Sequence, residues 1–163
     1  MKIGVISDTH IPINAKQLPQ SVFKHFKDVD MILHAGDLVD LSVLDELRAI
    51  TPNVEAVSGN MDSPENRTAL RQKKIFMIDG VKIGITHGWG PPDDIRQRIA
   101  EVFKDEKPDV IIFGHTHQPE KTIENGILFL NPGSSTDKRF AKTNAVAILT
   151  ITNGKADAEI IEL

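Results

Sequence analysis

The sequence contains no cysteine among its 163 residues. This absence excludes disulfides, cysteine-ligated zinc and thiol nucleophiles, and it suits a reducing compartment. Long apolar runs are also missing. The run at the amino terminus stops at Asp8, far short of the apolar core of a signal peptide or the ~20 residues of a membrane span. We therefore expect a soluble, cytoplasmic protein that does not enter a membrane.

A strong excess of one charge is absent as well. Lysine and arginine total 19 and the acidic residues total 23, which gives a formal net charge of -4. Such a balance provides no general attraction for nucleic acid or anionic membranes, so a polyanionic substrate must be attracted locally. The sequence shows neither a basic stripe nor an added domain that would bind long nucleic acids. We therefore expect a small substrate.

The first third of the chain repeats one plan of an apolar run, a polar junction and an amphipathic segment. Residues 2–7 predict a buried strand, followed by a helical stretch in 17–26. The run that starts at Met31 leads into a predicted helix over 41–50, and a third strand ends at Asn60. Strands alternating with helices are typical of βαβ units with parallel pairing.

The rest of the chain favours hairpins. Asp79-Gly80, Asn125-Gly126 and Asn153-Gly154 each join two strand-like runs and predict tight turns. Between the first two turns, a helix is predicted to open at Pro91 and to run to about Lys104. With no linker or internal repeat, we expect one domain over residues 1–163. The pattern predicts an α/β fold of two mixed β-sheets packed face to face, with helices outside.

Residues able to bind metals stand at five separate strand-to-loop junctions. They are Asp8, His10, Asp37, Asn60, His87, His115 and His117. Loops beyond the carboxyl ends of strands converge on one crevice in α/β sheets, so these side chains are expected to meet. Nitrogen and oxygen donors without thiolate favour Mn²⁺, Fe²⁺, Co²⁺, Ni²⁺ or Zn²⁺ over a pure Mg²⁺ or Ca²⁺ cage. Seven ligands are too many for one tetrahedral ion, but they suit two ions that share a carboxylate.

The ordered set "DTH", "GD", "GN", "THG" and "GHTH" resembles the calcineurin-like metallophosphoesterase superfamily. The chain length, the "ISDTH" opening and the "NPGS" at 131–134 resemble its small YfcE-like phosphodiesterase branch. This resemblance implies a four-layer αββα sandwich. It also implies a dinuclear phosphodiesterase that hydrolyses small phosphodiesters through in-line attack by a metal-bridging hydroxide.

The same resemblance implies a distribution of the ligands between two ions. Asp8, His10 and His117 would hold the first ion, while Asn60, His87 and His115 would hold the second, and Asp37 would bridge them. Asp37, Asn60 and His87 are expected to be the catalytic residues. Manganese is the expected metal, with nickel, iron, cobalt and zinc also compatible. Because only two ligands are anionic, two divalent ions would leave the pocket positive and attractive to a phosphodiester.

Ordinary structural roles compete for several of these positions. Asp8 alone would cap a turn, Asp37 would suit a helix N-cap, and Asn60 after glycine would suit a turn. His34 is expected to orient the centre through hydrogen bonds without binding metal. His25, among charged helical neighbours, is expected to be structural.

Other residues near the expected opening of the metal site have either a functional or a structural interpretation. Ser134 and Arg139 follow the "NPG" turn and are candidate substrate-binding residues, since arginine suits phosphate geometry, although a lone surface arginine is common. Trp89 would either wall the pocket or pack its own loop. Met61 stands where many superfamily members carry a histidine that assists the leaving group, and methionine cannot donate a proton. Asp62 is the nearby candidate acid.

Two other functions compete with a diesterase. A phosphomonoesterase would use the same motifs. A non-catalytic scaffold is the second alternative, because a retromer subunit of this fold resembles such enzymes but has an eroded metal site and binds partner proteins. Every ligand position here carries a competent residue, which favours the enzyme. A homo-oligomer, either dimer or tetramer, is also compatible with the sequence.

Overall fold

The computed structural model describes all 163 residues and contains ten strands and four helices. The strands are β1 (Lys2–Ile6), β2 (Met31–His34), β3 (Val54–Ala56), β4 (Lys73–Ile78), β5 (Val81–Thr86), β6 (Val110–Ile112), β7 (Glu120–Glu124), β8 (Ile127–Asn131), β9 (Ala145–Thr152) and β10 (Lys155–Glu162). The helices are α1 (Gln20–Phe26), α2 (Ser42–Arg48), α3 (Pro64–Ala69) and α4 (Ile95–Val102). None of them is long and apolar enough to cross a membrane.

The first sheet has the strand order β10-β9-β1-β2-β3. Its β1, β2 and β3 are parallel, with Ile3 opposite Met31 and Ile32 opposite Val54, and α1 and α2 connect them. The strand β9 pairs with β1 in antiparallel fashion, and β10 pairs with β9 in the same way. The prediction of βαβ units followed by hairpins is therefore confirmed in a mixed sheet.

The second sheet has the order β4-β5-β6-β8-β7 and is mixed as well, since β5, β6 and β8 are parallel and the outer strands are antiparallel. The three hairpin predictions are confirmed. At Asp79-Gly80, Asn125-Gly126 and Asn153-Gly154, both residues have positive φ, as a two-residue turn of the favoured hand requires.

Three apolar clusters separate four layers. The largest lies between the sheets and includes Ile3 and Leu33 of one sheet and Ile83 and Ile112 of the other. Phe26 of α1 joins a cluster on the outer face of the first sheet. A third cluster packs α4 on the outer face of the second sheet. The expected αββα sandwich is confirmed.

The helices differ from the sequence-based prediction in their bounds. The residues 92–94 form a turn, and α4 begins only at Ile95. Asp37 is not a helix N-cap, because α2 starts at Ser42 after Leu41. The helix α3 was not predicted. It starts from a capping interaction in which the Ser63 hydroxyl accepts a hydrogen bond from the Asn66 N–H.

Candidate metal centre

The carboxyl ends of β1, β2, β3, β5 and β6 meet at one edge of the sandwich, where two buried groups of ligand-type side chains lie. The first group is Asp8, His10 and His117. His117 Nε2 lies 3.3 Å from Asp8 Oδ1 and 3.2 Å from His10 Nε2, and His10 Nε2 lies 3.8 Å from Asp8 Oδ1. Three donor atoms this close and this buried present one compact set of ligands to a cation.

The second group is Asp8, Asp37 and His87, so Asp8 belongs to both. His87 Nε2 lies 3.2 Å from Asp37 Oδ2 and 3.8 Å from Asp8 Oδ1. The same Asp37 oxygen lies 3.6 Å from His10 Nε2 of the first group. Asp37 Oδ2 therefore lies between His87 and His10, one histidine from each group, and Asp8 Oδ1 also lies near histidines of both groups.

Asn60 and His115 complete the set on its exposed side. His115 Nδ1 lies 3.0 Å from Asn60 Oδ1, and the His115 ring meets the His87 ring edge-on at 5.5 Å between centroids. The other ring nitrogen, Nε2, lies 3.0 Å from the Gly90 carbonyl. In the neutral ring, Nε2–H donates to that carbonyl, which leaves Nδ1 with a lone pair beside the Asn60 oxygen. Both residues thus offer acceptor atoms at one point.

The buried His87 nitrogen tests whether the centre fits a metal. His87 Nδ1 lies 2.7 Å from the Ala35 carbonyl, which needs a donor, so the lone pair of a neutral ring is on Nε2. This Nε2 is buried and has no hydrogen-bond partner, although it faces the Asp37 carboxylate. A lone pair facing a carboxylate is repulsive unless a cation lies between them. The residues therefore fit a bound metal ion.

The ionisation of these groups leads to the same conclusion. Burial disfavours the charged form of His87, but Asp8 and Asp37 outweigh it and raise the pKa of His87 to about 9. Burial also disfavours ionised Asp8, yet His87, His10 and His117 hold its pKa far below the usual range. The pKa of Asp37 is lowered too, because its contacts with His87 outweigh burial. Both carboxylates thus remain anionic, and a proton on His87 takes the place that a cation would fill.

The backbone of this edge is held in an unusual conformation. Five of the candidate ligands have positive φ values, between 43° and 71°, namely Asp8, His10, Asp37, His115 and His117. Left-handed backbone at residues other than glycine is uncommon, and it clusters at functional sites where the surrounding structure enforces it. The concentration of such residues here marks this edge as a candidate functional site.

The glycines of the motifs allow the close approach of the loops. A Cβ atom at Gly59 would collide with the Asp37 carboxylate, and one at Gly114 would collide with the side chains of Ser7 and Asp8. At Gly36, it would lie 2.8 Å from His87 Nδ1. Each glycine thus precedes a ligand-type residue because the neighbouring ligands occupy the space of a side chain.

Comparison with known proteins identifies the family. A family model described as the calcineurin-like phosphoesterase superfamily domain matches residues 1–154. The chain belongs to this superfamily. It is 43% identical over 161 residues to a probable metallophosphoesterase of Methanothermobacter thermautotrophicus, across 99% of this chain and 92% of that protein. The resemblance in the sequence motifs is therefore confirmed.

Two further relatives describe the range of the superfamily. Phosphodiesterase MJ0936 of Methanocaldococcus jannaschii is 31% identical over 145 residues, covering 82% of this chain and 83% of that protein. The crystal structure of Vps29 complexed with Zn²⁺ from Entamoeba histolytica matches with a TM-score of 0.78 and 26% identity, over 99% of both chains. The superfamily is metal-dependent, and its name and relatives support a phosphoester hydrolase.

Two further carboxylates contact the loops of the centre: Asp62, which the sequence offered only as a candidate acid, and Asp137, which it did not single out. Asp62 is buried and accepts hydrogen bonds from the backbone N–H groups of Asp37, Val39 and Gly59, so it fixes the Asp37 loop. With its oxygens engaged in this way, Asp62 is placed as a structural acceptor. Asp137 Oδ2 lies 3.1 Å from His117 Nδ1. The only signal in the sequence was the position of each aspartate within three residues of a motif.

Several other predicted residues have clear positions. The His34 ring bridges two ligand loops, since its Nδ1 accepts from the Gly36 N–H and its Nε2 lies 3.1 Å from Thr9 Oγ1. Burial lowers the pKa of His34 to about 3, which keeps this bridge neutral. His25 is half-buried on α1, in a different part of the fold.

The two candidate substrate-binding residues have different surroundings. Ser134 is fully buried, and its hydroxyl donates to the Asp8 carbonyl at 2.7 Å, a position that suits support of the Asp8 loop. Arg139 is exposed, and its Nε and Nη2 donate to the Asp137 carboxylate. No protein group accepts a hydrogen bond from Arg139 Nη1, and the side chain is 67% exposed.

Proposed function

We propose that this chain is a dinuclear metal-dependent phosphodiesterase that hydrolyses small phosphodiesters. The observation that carries the proposal is the pair of buried ligand groups that share Asp8 and are linked through Asp37 Oδ2. One ion needs only one such group. When bound, two divalent ions supply an activated water as nucleophile and clamp the attacking and leaving oxygens of an in-line displacement.

The proposed ligands divide as the motifs imply. Asp8, His10 and His117 hold one ion, and Asn60, His87 and His115 hold the other. Asp37 serves both, and its fixed orientation comes from the Met61 N–H, which donates to Asp37 Oδ1 at 2.7 Å. That bond directs the second oxygen, Oδ2, towards the histidines.

The residues that act on the substrate lie on the open side of the centre. The proposed catalytic residues are Asp37, Asn60 and His87. Asn60 is exposed, so its amide is accessible to a phosphate oxygen. Arg139 is the proposed cationic contact through its unused Nη1 donor, while Ser134 acts indirectly by supporting the Asp8 loop. Met61 is exposed beside Asn60 and offers no proton, so substrates with good leaving groups are favoured.

The donor chemistry suits manganese, with nickel, iron, cobalt and zinc as alternatives. Four imidazoles, two carboxylates and one amide form a nitrogen and oxygen set that these ions accept. The Zn²⁺ in the Vps29 structure shows that a relative of this fold binds such an ion.

The test is a metal-resolved activity screen. Protein stripped with a chelator is reloaded with each divalent ion and assayed on cyclic nucleotides, linear dinucleotides, aryl diesters and monoesters. We expect diester hydrolysis that depends on the metal and exceeds monoester hydrolysis. Hydrolysis confined to monoesters would instead support a phosphomonoesterase. Inactivity with every metal and ester would favour the non-catalytic scaffold for which the likeness to Vps29 is the supporting observation.

A further inference from the structure

Exposed apolar side chains surround the candidate centre. Of the eight large apolar residues exposed on the whole chain, Ile13, Met61 and Trp89 lie on loops that follow ligand-bearing strands. Phe140 lies on the loop after β8, where its ring contacts the ring of His117. Exposed apolar surface gathered at one rim, around a polar and charged centre, is the usual form of a small-molecule site.

Phe140 flanks the first ligand group. Its ring meets the His117 ring edge-on at 5.3 Å between centroids, and 58% of the residue remains exposed. The Arg139 guanidinium carbon lies 5.7 Å from the centre of the Phe140 ring. The loop itself is held by Asp137, which accepts from the Arg139 N–H at 2.9 Å. Because hydrogen bonds hold this loop, the exposed ring is not needed for its packing.

Trp89 flanks the second ligand group. It lines a cavity of about 510 Å³ together with His87 and Asn60. It also lines a second cavity, of about 540 Å³, against α4, and 48% of the residue is exposed. The backbone of the loop is fixed without the indole, since Arg98 Nε donates to the Trp89 carbonyl at 2.9 Å. The indole therefore borders the cavity beside the centre, and about half of it remains exposed.

We propose that Trp89 and Phe140 contact the two substituents of a bound phosphodiester and select substituents that are aromatic or heteroaromatic rings. This inference rests on the proposed diesterase function. A diester carries one substituent on each side of its phosphorus, and each ligand group has one exposed aromatic ring beside it. Flat rings stack on aromatic side chains with little sequence or shape discrimination.

The kinetic test uses two substrates with the same leaving group, 4-nitrophenyl phenyl phosphate and 4-nitrophenyl methyl phosphate. For the protein as it exists, we expect a lower KM for the phenyl diester, by roughly 5- to 150-fold for one stacked ring. We test two variants, Trp89→Ala and Phe140→Ala. One of them should remove the preference for the phenyl diester. The other should raise KM for both substrates, because it contacts the nitrophenyl group that they share. The matched control is Ile123→Ala, an exposed residue on the edge strand β7, which should change neither KM.

Binding can be followed separately from turnover, because Trp89 is the only tryptophan and there is no tyrosine. Diphenyl phosphate added to manganese-loaded protein should change the Trp89 emission to saturation, whereas dimethyl phosphate should not. In Phe140→Ala, the same titration should require a higher concentration of diphenyl phosphate.

The outcomes separate this inference from the proposed function. Equal KM values for the two diesters, together with unchanged Trp89 emission, would overturn the aromatic selection and leave the diesterase intact. The same result is expected if the exposed rings bind a protein partner. Saturable emission changes without hydrolysis under any metal would instead contradict the diesterase while supporting ring binding.

Discussion

The two sides of the candidate centre differ in burial and in charge. Asp8, His10 and His117 are buried, and the Asp8 carboxylate remains anionic there because three histidines surround it. On the other side, His87 is buried as well, but Asn60 is exposed and neutral, and His115 is only half-buried. Burial and the neighbouring His87 lower the pKa of His115, so that ring is neutral.

Because of this difference, the two ions are expected to bind with different affinities. A buried carboxylate with two imidazoles attracts a cation in a low dielectric, where the interaction is strongest. Neutral ligands near solvent contribute less charge and exchange more easily with water. We therefore expect a tightly held ion at the buried group and a weaker ion beside Asn60 and His115.

The largest expected effect comes from the residue that links the two sides. Asp37→Asn keeps the shape and the acceptor oxygen that binds the Met61 N–H, but it removes the shared charge. We expect both ions and nearly all turnover to be lost, by more than the ~10–100-fold typical of losing an outer hydrogen-bond partner. Elemental analysis and diester turnover measure this.

The control for that variant is Asp157→Asn, an exposed carboxylate paired with Lys121. It should retain its metal content and its activity. If Asp37→Asn still bound two ions per chain, Asp37 would not be the shared ligand.

A second prediction compares the sides directly. His117→Ala should weaken the tight ion strongly, whereas His115→Ala should weaken only the second ion and leave the first in place. Titration of metal-free protein with Mn²⁺, followed by calorimetry, resolves the two steps. If both variants lost affinity for the two ions to the same extent, the two ions could not be distinguished as tight and weak.

A third prediction concerns Asp137, which lies beside His117 of the first ligand group. Its carboxylate, whose pKa the Arg139 guanidinium helps to lower to about 2, faces His117 Nδ1. Asp137→Asn removes the negative charge 3.1 Å from His117 Nδ1, and it should reduce the affinity for the first ion by ~10–100-fold, the range seen when an outer group that orients a ligand is lost. Arg139→Gln removes the same ion pair from the other end and serves as control, since it should leave the affinity nearly unchanged. An equal effect of the two variants would show that Asp137 does not act through His117.

The smallest expected effect is a pH dependence of the metal-free protein. The folded pKa of His87 is raised to about 9, above the ~6.5 of an unfolded histidine. Protonated His87 therefore stabilises the metal-free fold fully below pH ~6.5, and this contribution is lost as pH rises through about 9. Urea unfolding of chelated protein should show a decrease over that window, on the order of 1–3 kcal/mol. His87→Gln should flatten the profile, and an unchanged decrease in that variant would assign the effect to another group.

Much of the fold was predictable because local signals and topology agree. Asp79-Gly80, Asn125-Gly126 and Asn153-Gly154 require positive φ at two successive positions, which few dipeptides tolerate, so the hairpins could be read from composition. Helix bounds were less accurate. Pro91 and Pro92 look like a helix start, yet they belong to the Trp89 loop, and tertiary contacts of Ile95 decide where α4 begins.

The positions of the ligand-type residues followed from their place after strands, but their supporting residues did not. Asp62 and Asp137 act on backbone N–H groups and ring nitrogens of other loops, and no spacing in the sequence encodes such contacts. The burial of Ser134 is equally invisible, because it depends on the Asp8 loop lying above it. The exposed rings of Trp89 and Phe140 could be located only once the loops were assembled.

The proposed diester hydrolysis requires two ions held by these residues. The most direct measurement adds Mn²⁺ stepwise to metal-free protein and records hydrolysis of an aryl phosphodiester at each ratio of ion to chain. Because the first ion is expected to fill the group of Asp8, His10 and His117, activity should remain low up to one equivalent and rise to a plateau at two. Full activity at one equivalent, or in chelated protein with none, would contradict the account.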